Sequence, residues 1–297
     1  MHKNILVTGA KGQVGSELQV LSTLDTFSYF TFFFTDKDTL DISNKSEIET
    51  FCQVNTIDTI INCAAYTAVD KAEEEQETAN LINHLAVKYM AEIAKENKIQ
   101  LIHISTDYIF DGENYRPYVE DDPVNPQGVY GQTKLDGENA MIDIHPSNSM
   151  ILRTSWVYSS FGNNFVKTML RLGKEQDELG VIFDQVGTPT YARDLAEAIL
   201  TIIQSTESIN SNVIPIYHFS NEGVCSWYDF AKQIFIFSNL ECHVNPIVTS
   251  EYPAPAKRPH YSILDKAKIK KDFNLTIPYW RDSLKECLDV MESETKH

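Results

Sequence analysis

Tyr130 and Lys134 stand four residues apart in Tyr130-Gly131-Gln132-Thr133-Lys134, a stretch with helical character. That spacing puts both side chains on one helix face, one turn apart. An ammonium beside a phenol favours the phenolate and lowers a pKa that starts at about 10. Such a tyrosine can give or take a proton near neutrality. Tyr228 and Lys232 repeat the spacing. They lie in Trp227-Tyr228-Asp229-Phe230-Ala231, an aromatic run that reads as core-facing, so this second pair is read as structural. The first pair differs by its context. It follows a long loop leading out of the apolar run Ile99–Ile104, and that run stops at Ser105-Thr106-Asp107-Tyr108, where Thr106 offers a hydroxyl that could share a carbonyl oxygen with the phenol.

The elements that must position these groups begin at the N-terminus. Ile5-Leu6-Val7 feeds Thr8-Gly9-Ala10-Lys11-Gly12-Gln13-Val14-Gly15, then helix formers. This reads as strand, tight turn and helix. Glycines let backbone N–H groups approach a ligand, and the helix N-terminus favours an anion such as a pyrophosphate. The spacing Gly9-x-x-Gly12-x-x-Gly15 is one residue looser than the common dinucleotide fingerprint. Thr31–Thr35 reads as a second buried strand ending at Asp36, about 20 residues beyond Gly15, where a dinucleotide fold places an acid on the adenosine ribose. A solvated loop acid is the plain alternative. With a dinucleotide in view, Lys134 gains a second use, a hydrogen bond to the nicotinamide ribose. Asp36 disfavours a 2′-phosphate while Lys11 and Lys37 favour one, so NADPH and NADH both stay open.

Further strands are expected at Thr59–Ala65, Ile99–Ile104 and Met150–Trp156, with helices at Lys45–Asn55, Ala79–Lys95 and from Tyr130 between them. The alternation predicts an α/β fold with a doubly wound, Rossmann-like parallel sheet, whose ligands sit outside the carboxyl ends of the strands. Beyond Trp156 the alternation weakens. Arg193–Gln204 reads as an apolar helix returning to the sheet and Pro215–Ser220 as a last strand. The expected division is a dinucleotide-binding part, 1–155 with 191–222, and a smaller, partly interleaved α/β substrate domain, 156–190 and 223–297.

The chain has 297 residues, enough for a sizeable core. Its 25 basic and 42 acidic residues leave a net charge of −17, which argues against nucleic acid or an anionic membrane as partner. Five scattered cysteines without C-x-x-C spacing fit reduced thiols in a cytoplasm, with no disulfide framework or zinc site. No secretory leader and no membrane span is expected.

Together these stretches resemble the extended short-chain dehydrogenase/reductase family, and within it the dTDP-4-dehydrorhamnose reductase branch. The resemblance rests on Thr8–Gly15, Asn62–Glu73, Ser105–Gly112, Tyr130–Lys134, Arg153–Tyr158 and Arg258-Pro259. It implies NADPH- or NADH-dependent reduction of the 4-keto group of a dTDP-sugar, dTDP-4-dehydro-L-rhamnose. Tyr130 would be the proton donor, Lys134 its electrostatic partner and Thr106 the hydroxyl tuning it. Gly9, Gly12, Gln13, Val14 and Gly15 would hold the cofactor pyrophosphate. Asp36, Asp41 and Ile42 would surround the adenosine, and Ala65, Tyr66, Thr67 and Ile104 would line the nicotinamide side. Thr106, Asp107 and Trp156 would touch the sugar nucleotide, and Arg258 its diphosphate. Trp156 as plain core and Arg258 as a surface arginine remain the alternatives. The resemblance also allows Mg2+ and a homodimer, though no tight carboxylate cluster is legible and no metal ligand is assigned.

Dehydratases of this superfamily carry an acid pair after the Ser-Thr, whereas here Tyr108 follows Asp107. Elimination of water needs an acid and a base beyond the tyrosine. Reduction does not, and is preferred. Another sugar-nucleotide reductase or epimerase, and a non-catalytic regulatory subunit such as that of methionine adenosyltransferase, stay as alternatives.

Overall fold

Eight strands and eight longer helices carry the architecture of the computed structural model, which describes residues 2–205, 213–252 and 254–295. Pro253, expected in a loop, and residues 206–212 and 296–297 lie outside them. The strands are β1 (Lys3–Thr8), β2 (Phe30–Thr35), β3 (Thr59–Asn62), β4 (Gln100–Thr106), β5 (Met150–Thr154), β6 (Glu178–Ile182), β7 (Ile216–Phe219) and β8 (His243–Ile247). The helices are α1 (Gln13–Leu21), α2 (Lys45–Val54), α3 (Ala86–Asn97), α4 (Val129–Ile144), α5 (Phe165–Glu175), α6 (Ala192–Gln204), α7 (Trp227–Phe237) and α8 (Trp280–Thr295). Six strands form one parallel sheet in the order β7-β5-β4-β3-β1-β2, the doubly wound arrangement expected.

The pleat sorts the core. Ile5, Val7, Ile61, Ile102 and Leu152 face one side, against Leu18 of α1 and Leu195 and Ile199 of α6. Their neighbours Leu6, Ile60, Leu101 and Ile151 face the other, against Ile48 of α2, Met90 of α3 and Met141 of α4. Alternating faces with both sides covered is what continuous apolar strands require. A third core gathers Val166, Met169, Phe230, Ile234, Leu284 and Leu288 from α5, α7 and α8.

Four features differ from expectation. β3 ends at Asn62, leaving Cys63 to Ala65 as open backbone, and β5 ends at Thr154 because Trp156 takes a left-handed φ of 48°. Such a residue cannot continue a ladder. β8, parallel to β6, was not foreseen, because Pro246 and its alternating polar neighbours hide it. Finally, Gln76–Asn80 reaches α3 through a widened turn, Leu81–Leu85, which places buried Asn83 to accept the Tyr66 N–H at 2.8 Å and donate to the Thr133 hydroxyl at 3.2 Å. None of the helices among the described residues is long and apolar enough to cross a membrane.

Helix α4 is pinned to the sheet by a buried ion pair. Arg153 Nη2 meets Glu138 Oε2 at 2.7 Å, its Nε reaches both carboxylate oxygens, and its Nη1 donates to the Glu120 carbonyl. Ser105 of β4 donates to the same carboxylate. Breaking such a pair from one side leaves an uncompensated buried charge. Arg153→Met is therefore expected to cost about 3–5 kcal/mol in urea unfolding, and Arg153→Met with Glu138→Leu to recover most of it. A single-variant loss under about 1 kcal/mol would show that the pair does not fix α4.

Candidate functional site

The site lies along the carboxyl ends of β1 to β5 as two connected hollows. The smaller, about 290 Å³, is lined by Gly9, Lys11, Gly12, Asp36, Lys37, Asp41 and Ile42 among others. The larger, about 610 Å³, is lined by Gln13, Val14, Thr67, Ile104, Thr106, Asp107, Tyr130, Lys134 and Trp156, with Gly162 to Asn164 and Trp227 closing it. Gly12, Cys63 and Ala65 line both. A long, bent track of this kind suits an extended ligand with two ends.

At the junction, Gly9 takes φ +67°, and a side chain there would come within 2.7 Å of the Ala64 backbone nitrogen. Gly15 lines neither hollow. A Cβ on it would meet the Gly9 carbonyl oxygen at 2.4 Å, so its part is to let α1 close onto the turn. The first turn of α1 then presents its N–H end to the track at Gly12 to Val14. The turn is braced from across the cavity: Gln13 donates to the Val157 carbonyl at 3.1 Å, and Asn164 donates to Gln13 at 3.0 Å. A cradle made only of backbone fits a pyrophosphate.

Asp36 closes the far end. Lys11 Nζ lies 2.6 Å from its carboxylate, and this contact, with the Asp38 N–H, holds the Asp36 carboxyl below its ordinary range. Asp41 is likewise lowered, by the hydroxyl and N–H of Ser43. Both acids stay ionised at neutrality and can accept from ribose hydroxyls or an adenine amine.

The chemical end is drier. Burial pushes the Tyr130 phenol up to about 12, and a hydrogen bond with Thr106 opposes this. Lys134 does not act on the phenol in the way its spacing predicts. Its Nζ donates to the Ile104 carbonyl at 2.6 Å and lies 3.5 Å from His103 Nε2, and burial brings it down to about 8. The expected lowering of the phenol is thus corrected to a rise: desolvation outweighs any help from the ammonium. Asp107 is buried and pushed up to about 7, chiefly by desolvation, against the Thr106 hydroxyl. Thr106 Oγ1 donates to its Oδ1 at 3.0 Å, while Oδ2 has no partner. Tyr108 stands edge-on to Tyr130, centroids 5.4 Å apart, in the place where an acid pair would need its second carboxylate.

The remaining expected residues divide. Trp156 does line the cavity, its indole stacked on that of Trp227 at 3.5 Å and 10°. Tyr66 does not line it. Its hydroxyl donates to Glu75 at 2.8 Å, and Asn83 holds its backbone. Arg258 is also outside the lining, forked onto Asp70 at 2.6 and 3.1 Å. Tyr228 and Lys232 are absent from the lining, though their neighbour Trp227 is part of it. Trp227, Asn164 and Asn83 had no local signal, since each acts on a residue 17 to 151 positions away. Among the described residues no group of three His, Cys, Asp or Glu side chains could hold a metal ion, and buried Glu17 is taken by Arg193 and Ser159.

Comparison with known proteins places the chain in a family. The chain is 42% identical to the dTDP-4-dehydrorhamnose reductase of Aggregatibacter actinomycetemcomitans, over 95% of this chain and 97% of that one. It is 41% identical to the dTDP-4-dehydrorhamnose reductase of Escherichia coli K12, over 98% and 99%. The solved dTDP-4-dehydrorhamnose reductase of Bacillus anthracis in complex with NADP superposes with a TM-score of 0.91 at 39% identity, over 98% of this chain and all of that one. Residues 3–293 match the family described as RmlD substrate binding domain, and with that span and those identities this chain belongs to it.

Proposed function

We propose that this protein reduces the 4-keto group of dTDP-4-dehydro-L-rhamnose to dTDP-L-rhamnose, with NADPH or NADH as the second substrate. The observation that carries this is the convergence of Thr106, Asp107, Tyr130 and Lys134 at the carboxyl end of β4, in one cavity continuous with a backbone anion cradle. The names of its relatives and the NADP in one of them support the same reading.

A bound nicotinamide supplies the hydride. The chain's own residues do the rest. Gly9 and Gly12 to Val14 would hold the pyrophosphate, with Gly15 letting α1 close on it. Asp36, Asp41 and Ile42 would hold the adenosine. Ala65, Thr67 and Ile104 would bound the nicotinamide side, with Tyr66 shaping that wall through its backbone, and Lys134 would hold the ribose. Tyr130, fully protonated at neutrality, would give its phenolic proton to the C4 oxygen, steadied by Thr106. Asp107, with one oxygen free, would accept from a sugar hydroxyl. The stacked Trp156 and Trp227 would offer an apolar wall to the sugar nucleotide. Arg258 would act at one remove, setting Asp70 at the rim. The division into 1–155 with 191–222 and 156–190 with 223–297 fits this use, since the walls from Trp156 onward meet a cradle built before it. Five free thiols fit work in a reducing cytoplasm.

Three outcomes are expected. Tyr130→Phe should lower kcat by about 10²-fold or more while leaving NADPH affinity within a few-fold; full turnover with the keto sugar would refute the assignment. Lys11→Ala should lower kcat/KM for NADPH several-fold more than for NADH, because it removes a cation beside Asp36; equal losses would exclude Lys11 as a reader of the 2′-phosphate. Asp107 sits at about 7 when folded and at about 3.9 unfolded. Its contribution to stability is full below the unfolded value and is lost as pH rises through the folded one. Asp107→Asn should therefore raise Tm relative to the parent more at about pH 8 than at about pH 5, and an equal change at both would rule out a buried, titrating carboxyl.

A further inference from the structure

A hydrogen-bonded line crosses the sheet behind the cavity, from β1 to α4. Thr8 Oγ1 donates to Asn62 Oδ1 at 2.7 Å, and the Ala64 backbone N–H donates to the same oxygen at 3.2 Å. A backbone N–H can only donate, so the oxygen of this amide is fixed on that side and its nitrogen on the other. Asn62 Nδ2 then faces His103 Nδ1 at 3.0 Å. An amide nitrogen also only donates, so Nδ1 must accept and carry no hydrogen. The imidazole is therefore neutral with its proton on Nε2, and the charged form, which needs hydrogens on both nitrogens, is shut out. His103 is fully buried, which likewise drives its pKa well below the ordinary value. The Nε2–H points to Lys134 Nζ, 3.5 Å away.

We propose that His103 is a positioning residue for Lys134: its Nε2–H, locked by Asn62, opposes the ammonium and leaves Lys134 free to exchange its proton in the working pH range. An ammonium has no lone pair to accept this N–H, whereas a neutral amine accepts it and still donates to the Ile104 carbonyl. The other groups facing Lys134 do not reverse this. Glu138, one turn on along α4, favours the ammonium but is forked by Arg153 of β5. The Cys63 thiol, after β3, is held uncharged by burial. The Tyr130 phenol is neutral. Burial lowers Lys134 in the same direction. The proposal rests on the reductase reading only for its consequence, which is where activity falls off in base.

The first test needs neither cofactor nor sugar. Two-bond proton–nitrogen NMR of the wild-type protein should show His103 with hydrogen on Nε2 and a bare Nδ1 from about pH 6 to about pH 9. Hydrogen on Nδ1, or a charged ring, overturns the proposal whatever the protein reduces. The second is the pH profile of NADPH oxidation with the keto sugar. His103→Phe removes the opposing N–H without adding charge, and should move the alkaline limb of kcat up by about half a pH unit or more. Asn62→Asp, which turns donor into acceptor and moves the proton to Nδ1, should move it the same way. A merely structural loss would lower kcat and leave the limb in place, and a limb that stays or moves down in both variants overturns the proposal. Absence of turnover in the wild type, with the tautomer as stated, would sink the reductase reading alone.

Discussion

Everything at the chemical end depends on how closely α4 approaches the edge of the sheet. A Cβ on Gly131 would come within 2.2 Å of the Tyr108 carbonyl oxygen, and one on Gly137 within 2.2 Å of the Asn83 carbonyl oxygen. Only bare backbone permits that contact on both flanks of the helix. The approach puts three side chains of one face, Tyr130, Lys134 and Glu138, against the end of β4. It also removes water from them. The protonation of Tyr130 and Lys134 is then set first by desolvation and only afterwards by one another, which is why the phenol rises and the lysine falls instead of the lysine pulling the phenol down.

This packing would fail electrostatically without the ion pair beneath it. Glu138 is fully buried, and its carboxylate is saturated by Arg153 and the Ser105 hydroxyl. The site therefore stands on a neutralised charge pair, with Lys134 one turn above it. The close helix, the buried pair and the dry row are one arrangement: loosening the first would hydrate the other two.

What was legible in the chain is what acts locally. Glycine spacing announced the turn before α1, apolar runs announced the sheet strands, and a separation of four put Tyr130 and Lys134 on one face. What was hidden acts across the fold. The sequence cannot say that Lys134 meets the Ile104 carbonyl and His103 before it meets a phenol, because helical spacing gives a face and not what the other elements place opposite it. The same holds for Trp227. It was read as core from its aromatic neighbours, yet it stacks on Trp156 and walls the cavity. β8 stayed hidden because a parallel partner 65 positions away leaves no hairpin signal and Pro246 argues against a strand.

The excess of acids bears on how such a chain takes a ligand with phosphate groups. Its cations near the track are largely committed: Lys11 to Asp36, Arg258 to Asp70, Lys134 to a carbonyl. With a net charge of −17 the long-range field opposes an anion, and screening confines that opposition to about 8–10 Å at ordinary salt. Inside that distance the N–H end of α1 dominates, since its dipoles are fixed before the ligand arrives and cost no rearrangement. Recognition of a phosphate here would thus be a matter of backbone placement, with the glycines that shape the turn doing what a basic patch does in other proteins. That division would also let acids sit at an adenosine end without defeating binding. On the proposed reading, Asp36 and Asp41 would address ribose hydroxyls, and the pyrophosphate would lie where peptide groups, not side chains, meet it.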